Sequence, residues 1–153
     1  MKKFLLPAFS IFAFVFMVQG QSARQITRTA DRVADAYGAL NLKGLDKAHL
    51  TQGNIKVIIE QSIVDMGDPQ WRKHQFEVKQ FRSFKGLEAW LKSREHEDGL
   101  PFRVSWPRVG CRGGYCKFFL DGGILHNRLY LQKLAYGQRK GKVFIKTLYL
   151  LNG

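Results

Sequence analysis

From Phe102 to the end of the chain, apolar residues recur at every second position, in four runs separated by glycine-containing breaks. The runs are Phe102 to Trp106, Tyr115 to Leu120, Arg128 to Tyr136 and Lys142 to Leu151. A period of two sends alternate side chains to opposite faces of a strand. Gly113-Gly114, Asp121-Gly122-Gly123 and Gly137 to Gly141 are residues suited to the turns between strands. The last third of the chain therefore reads as four sequential strands.

The preceding residues alternate between two patterns. Ile26, Ala30, Val33, Tyr37 and Leu40 follow one another at spacings of three and four, the stripe of an amphipathic helix over 24–41. Arg28 with Asp31 and Arg32 with Asp35 are placed to pair on its wet side, and Gly44 is its expected stop. Asn54 to Val64 is rich in β-branched residues and reads as a strand; Gly67-Asp68-Pro69 breaks it. His74 to Phe81 reads as a second strand with Phe76 and Val78 inward, which requires a bulge to bring Phe81 in as well. Ser83 is placed to cap a second helix whose apolar stripe is Phe84, Leu87, Trp90 and Leu91. Glu88 precedes Lys92 by four residues, the favourable order for an ion pair, and Gly99 and Pro101 end the helix.

The order α-β-β-α-β-β-β-β is that of an α+β protein, expected to be an antiparallel, curved sheet of about six strands packed on two helices. This order loosely resembles cystatin-like and NTF2-like folds, which wrap a curved sheet around a helix. The resemblance implies a curved sheet and no particular activity, since such folds host enzymes, carriers and binding modules.

Residues 1–20 have the three parts of a secretory signal peptide: Lys2 and Lys3, an uncharged apolar run from Phe4 to Val18, and Val18-Gln19-Gly20 before a cut after Gly20. A cut after Ala23 is the alternative. The uncharged run is shorter than the roughly 20 residues a spanning helix needs, so no membrane span is expected after cleavage. Residues 21–153 then form one domain in the periplasm or the medium.

Export also decides how the two cysteines read. With a two-residue turn at Gly113-Gly114, Arg112 faces Tyr115 and Cys111 faces Cys116, and an oxidising compartment favours a cross-strand disulfide. The competing readings are a redox pair, at a spacing unlike C-x-x-C, and a metal site made with His126, which lacks a fourth ligand.

No catalytic motif is present among those with a known mechanism. Gly137 to Lys142 (GQRKGK) lacks the spacing and the hydroxyl residue of a phosphate loop, and reads as a basic hairpin loop. Glu95-His96-Glu97-Asp98 reads as a solvated helix end, because consecutive residues on a helix do not converge. The first catalytic candidates are Asp121 and His126, although Asp, Gly and Asn in that segment are also ordinary turn residues. No cofactor is expected.

Charge gives the stronger lead. Residues 100–153 hold ten Lys and Arg against one acid, Asp121. Alternation groups Tyr115, Lys117 and Phe119 on one face, Arg128, Tyr130 and Gln132 on another, and Lys142, Phe144 and Lys146 on a third. If the three coincide, cations interleave with aromatic rings, as an extended anionic ligand requires; Arg139 and Lys140 add charge in the loop. If instead the rings form the core, the lysines merely snorkel at its edges. The sequence thus points first to an exported, non-enzymatic binding module for an anionic envelope polymer, extracellular nucleic acid or an acidic protein. The alternatives are a small exported enzyme with a pocket between helix and sheet, and an inhibitor of another protein.

Overall fold

A computed structural model describes residues 9–47, 51–64, 72–94, 110–118 and 129–152, with side chains described from Ser22 onward except at 51–52, 62–64 and 72–73. The elements are α1 (Phe9–Gly38), α2 (Lys43–Asp46), β1 (Thr51–Val64), β2 (Arg72–Phe81), α3 (Phe84–Ser93), β3 (Gly110–Arg112), β4 (Tyr115–Lys117), β5 (Leu129–Arg139) and β6 (Lys142–Asn152). The strands form one six-stranded sheet in the order β2-β1-β6-β5-β4-β3. The fold is α+β, but the sheet is mixed. β1 and β6 pair in parallel, while all the other neighbours are antiparallel. Alternation along a strand does not reveal the direction of a distant neighbour, so the expectation of a wholly antiparallel sheet is corrected here.

The helices lie against one face of the sheet. Every residue of the α1 stripe from Ile26 to Leu40 is buried, together with Ala34, and faces Leu134, Ile145, Leu148 and Leu150 in a common core. The Tyr37 hydroxyl is buried with them and donates to the Leu129 carbonyl at 3.2 Å, tying helix to sheet. The expected ion pairs on the wet side of α1 do not close among the described residues. Partial burial, and then the neighbouring Asp35 charge, raise the Asp31 carboxyl above its usual value.

The end of α1 also differs from expectation. Gly44 lies inside α2, and the reversal falls at Leu40, whose φ is +50°. Asn41 N–H donates to the Ala36 carbonyl and Leu40 N–H to the Tyr37 carbonyl, the two bonds of a Schellman cap with leucine where glycine is usual. A left-handed leucine costs about 1–2 kcal/mol. Burying its side chain to 6 % exposure stabilises by about 1.5–3 kcal/mol, which offsets the strain.

α3 follows the sequence reading closely. The Ser83 side chain accepts from Gly86 N–H at 3.1 Å, Phe84, Leu87 and Leu91 are fully buried, and Glu88 meets Lys92 at 2.7 Å. α2 adds a second clasp. Asp46 accepts from the N–H groups of Phe84 and Lys85, and Glu88 accepts from Lys43 N–H at 2.8 Å. Burial would raise the Glu88 carboxyl, but the hydrogen bonds from Lys92 and Lys43 and the charges of both lysines reverse this and hold it below the usual range.

Two further expectations change. β2 pairs with β1 in unbroken register, so Phe81 faces the helices, packed on Trp90 with ring centroids 5.4 Å apart, and Phe76 and Val78 face away, 63 % and 53 % exposed. Phe81 is inward as expected but without the bulge, and the expected inward facing of Phe76 and Val78 is corrected: packing against the helix that starts three residues later fixes the register on Phe81. Gly137 is not in a turn. It sits inside β5 beneath the Phe144 ring, where any Cβ would collide with that ring and with Lys146. The turn is Lys140-Gly141 alone, both at positive φ. The run Phe102 to Trp106, the helix end at Gly99 and Pro101, and the cluster Glu95 to Asp98 lie outside the described residues.

Candidate functional site: the open face of the sheet

Gly113 and Gly114 both take positive φ, as a two-residue hairpin turn demands, and this fixes the register of β3 on β4. Arg112 faces Tyr115 and Cys111 faces Cys116, as the sequence implies. The two cysteines form a disulfide with Cα atoms 4.0 Å apart. Cys116 is fully buried against the core, so the bridge belongs to the helix side of the sheet. Both sulfurs are bonded to each other, which leaves no thiolate for a metal. Among the described residues there is no group of three His, Cys, Asp or Glu that could hold one.

The opposite, open face is organised in rows by the strand register. One row runs Val78, Ile58, Tyr149, Lys133, Lys117 from β2 to β4. Beside it runs Gln80, Lys56, Thr147, Ala135, Tyr115, Arg112. On the other side lie Phe76, Glu60, Leu151 and Tyr130. None of the described helices is on this side; their partners are the buried residues that alternate with these.

At the centre the Lys133 ammonium lies 4.1 Å from the Tyr149 ring and 5.0 Å from the Tyr115 ring, and the two rings are 6.2 Å apart. Cation–π contacts of this kind add about 0.5–1 kcal/mol each at exposed sites. Partial burial, then the Tyr115 charge and a hydrogen bond to Tyr115, push the Tyr149 hydroxyl up. Lys146 lies 5.7 Å from the Phe144 ring over Gly137. Among the described residues, Lys56, Lys117, Lys133 and Lys146 thus share this face with one acid, Glu60, which meets His74 at 2.8 Å.

Of the binding residues expected from sequence, Tyr115, Lys117, Tyr130, Phe144 and Lys146 come together on this face, although Tyr130 is almost entirely buried there. Arg139, Lys140 and Lys142 stand at the tip of the β5–β6 hairpin, beyond the rows. Phe119, Arg128, Asp121 and His126 lie outside the described residues. Lys133 and Tyr149, at the centre, were missed. A bulge at Gln132 shifts the alternation of β5, so that Lys133 joins Tyr130 and Gln132 on the open face. No local signal in the sequence marks that bulge.

A pocket of about 330 Å³ between α1 and β3 answers to the expected helix–sheet pocket. Among the described residues, Ser22, Thr27, Cys111, Arg112 and Tyr136 line it. Among the described residues, no helix is long and apolar enough to cross a membrane. No protein-family model, no curated protein and no solved structure matches the chain, so its function is argued from the open face alone.

Proposed function

We propose that the protein is an exported, non-enzymatic binding module that holds an anionic polymer against the open face of its sheet. The observation that carries this reading is the stack of Tyr115, Lys133 and Tyr149, with Lys56, Lys117 and Lys146 around it and, among the described residues, a single acid, already engaged by His74. Cations in such a field draw anions, and rings exposed beside them offer stacking surfaces. The disulfide supports export, because such bonds persist in oxidising compartments. An envelope polysaccharide or extracellular nucleic acid fits this chemistry, and an acidic protein is the third candidate partner. A curved sheet wrapped on α1, in the manner of cystatin-like or NTF2-like folds, belongs to the same proposal.

Retention on heparin and on DNA across a salt gradient tests it. The mature, oxidised protein should be retained at low salt and released steeply as salt rises. Exchanging Lys117, Lys133 and Lys146 for Gln should each reduce the logarithmic salt slope by about one. The same exchange at Arg139 and Lys140 should matter less. Weak retention, or equal effects from lysines on the helix side, would refute the reading.

A further inference from the structure

Phe76, Val78 and Tyr115 are the large apolar side chains that stand exposed among the described residues, and all three belong to the open face. A site for a purely charged polymer has no need of Phe76 and Val78. They lie at the β2 edge, on the far side of Tyr149 from Lys133 and Lys117, with Lys56 of β1 in the neighbouring row.

The central row changes character in one direction. Val78 and Ile58 are aliphatic, Tyr149 is aromatic with a polar tip, and Lys133 and Lys117 are cationic. Five strands separated by about 4.8 Å make the row roughly 19 Å long. A depression of about 380 Å³ follows its first four residues, with Phe76 and Glu60 also in its wall. Glu60 stands at the apolar end, where it disfavours an anion, and Lys133 stands at the other end. The two charges therefore give a bound molecule a direction.

Aliphatic side chains neither stack on bases nor pair with sugar hydroxyls; they pack on hydrocarbon. A second copy of the chain is a poor occupant, because it would bring the same lysines against these. We infer that the open face takes an anionic amphiphile one molecule at a time, with the acyl chain over Ile58, Phe76 and Val78 and the anionic head between Lys133 and Lys117. This inference rests on the open face being an anion-binding surface, and it adds the hydrocarbon half of the ligand.

The test is titration calorimetry on the mature, oxidised protein with three probes: laurate, dodecyltrimethylammonium and acetate. Laurate has chain and anion, the second has the same chain with a cation, and acetate has the anion alone. Laurate should bind at one site, at least about tenfold tighter than either of the others, with a negative heat-capacity change from apolar burial. The double variant F76S/V78N should lose about tenfold in laurate affinity while its heparin retention is unchanged. The variant K133Q/K117Q should erase the preference for laurate over the cationic probe. Equal binding of the two long-chain probes would overturn the inference, since it would mean adsorption of hydrocarbon alone. So would binding to anionic phosphatidylglycerol vesicles without a saturable laurate site, which would make the face a membrane-surface patch. Heparin retention without laurate binding would remove the amphiphile and leave the polymer reading standing. Laurate binding without heparin retention would do the reverse.

Discussion

The two faces of the sheet draw on the same residue types and use them differently. Along β1, Ile55, Val57 and Ile59 are buried under the helices, while Lys56, Ile58 and Glu60 look the other way. On β2, Phe81 is packed on Trp90 and Phe76 is open to solvent, although both are phenylalanines of one strand. The helix side has no room for charge except where it is paired, as at Glu88. Among the described residues the open side holds four lysines and Arg112 against one acid. Burial accounts for the first face, because apolar area removed from water stabilises the fold. It does not account for Phe76 and Val78, and side chains that hydration disfavours and stability does not require point to a binding face.

The sharpest way to break this comparison is a pair of core truncations set against a pair of open-face truncations. Leu134→Ala and Leu148→Ala should each cost about 2–5 kcal/mol in urea unfolding. Phe76→Ser and Val78→Asn should stay within about 0.5 kcal/mol, as exposed positions do. If the open-face pair proves as costly as the core pair, that face is structural and the functional argument fails.

Next in size is the disulfide, which closes a six-residue loop. Replacing both cysteines with Ser should lower stability by about 2 kcal/mol on the chain-entropy account. It should also loosen the β3–β4 end of the open face, reported as weaker polyanion retention. An unchanged retention would show that the hairpin keeps its register on Gly113 and Gly114 alone.

The α2–α3 clasp should come third. Glu88→Gln should cost about 1–2 kcal/mol, because two charge-assisted or backbone hydrogen bonds lose their acceptor charge. Since the folded carboxyl lies below its usual value, its contribution is complete above the unfolded value of about 4.3 and is lost as pH falls through the folded one. Unfolding curves from pH 7 down toward pH 3 should therefore converge for the wild type and the variant. Parallel curves would show that Glu88 contributes by shape rather than by charge.

A modest effect on stability comes with a large effect on binding at Lys133. Lys133→Gln should change unfolding by no more than about 2 kcal/mol, the contribution of its two cation–π contacts, yet shift elution from heparin to lower salt. A loss of stability well beyond that would make Lys133 a packing residue and blur the contrast between the faces.

Local signals carried much of this fold. The stripe from Ile26 to Leu40 names the helix and its buried side, because neighbours at three and four residues meet without help from the rest of the chain. Ser83, Phe84 and Leu87 define the start of α3 in the same local way. Gly113-Gly114 fixes a hairpin, and the hairpin fixes which cysteine faces which. Lys117 and Tyr115 were legible as site residues because β4 follows that turn directly.

The remainder depended on contacts between distant segments. The parallel pairing of β1 with β6 joins residues about ninety positions apart, and neither strand carries a mark of its partner's direction. The bulges at Gln132 in β5 and between Ile145 and Thr147 in β6 arise where two strands must both bury their apolar residues and still remain in register. A shift of one residue exchanges the faces of everything that follows. That is why Lys133 and Tyr149 entered the site only with the structure; in β2, where no such shift occurs, the unbroken register keeps Phe81 inward and leaves Phe76 and Val78 outward. Period and composition determined the elements, the disulfide and the excess of positive charge by short-range sterics and electrostatics. Tertiary packing alone decided which side chains share a face, because alternation sets only their parity and the choice of face belongs to the neighbouring strands and helices.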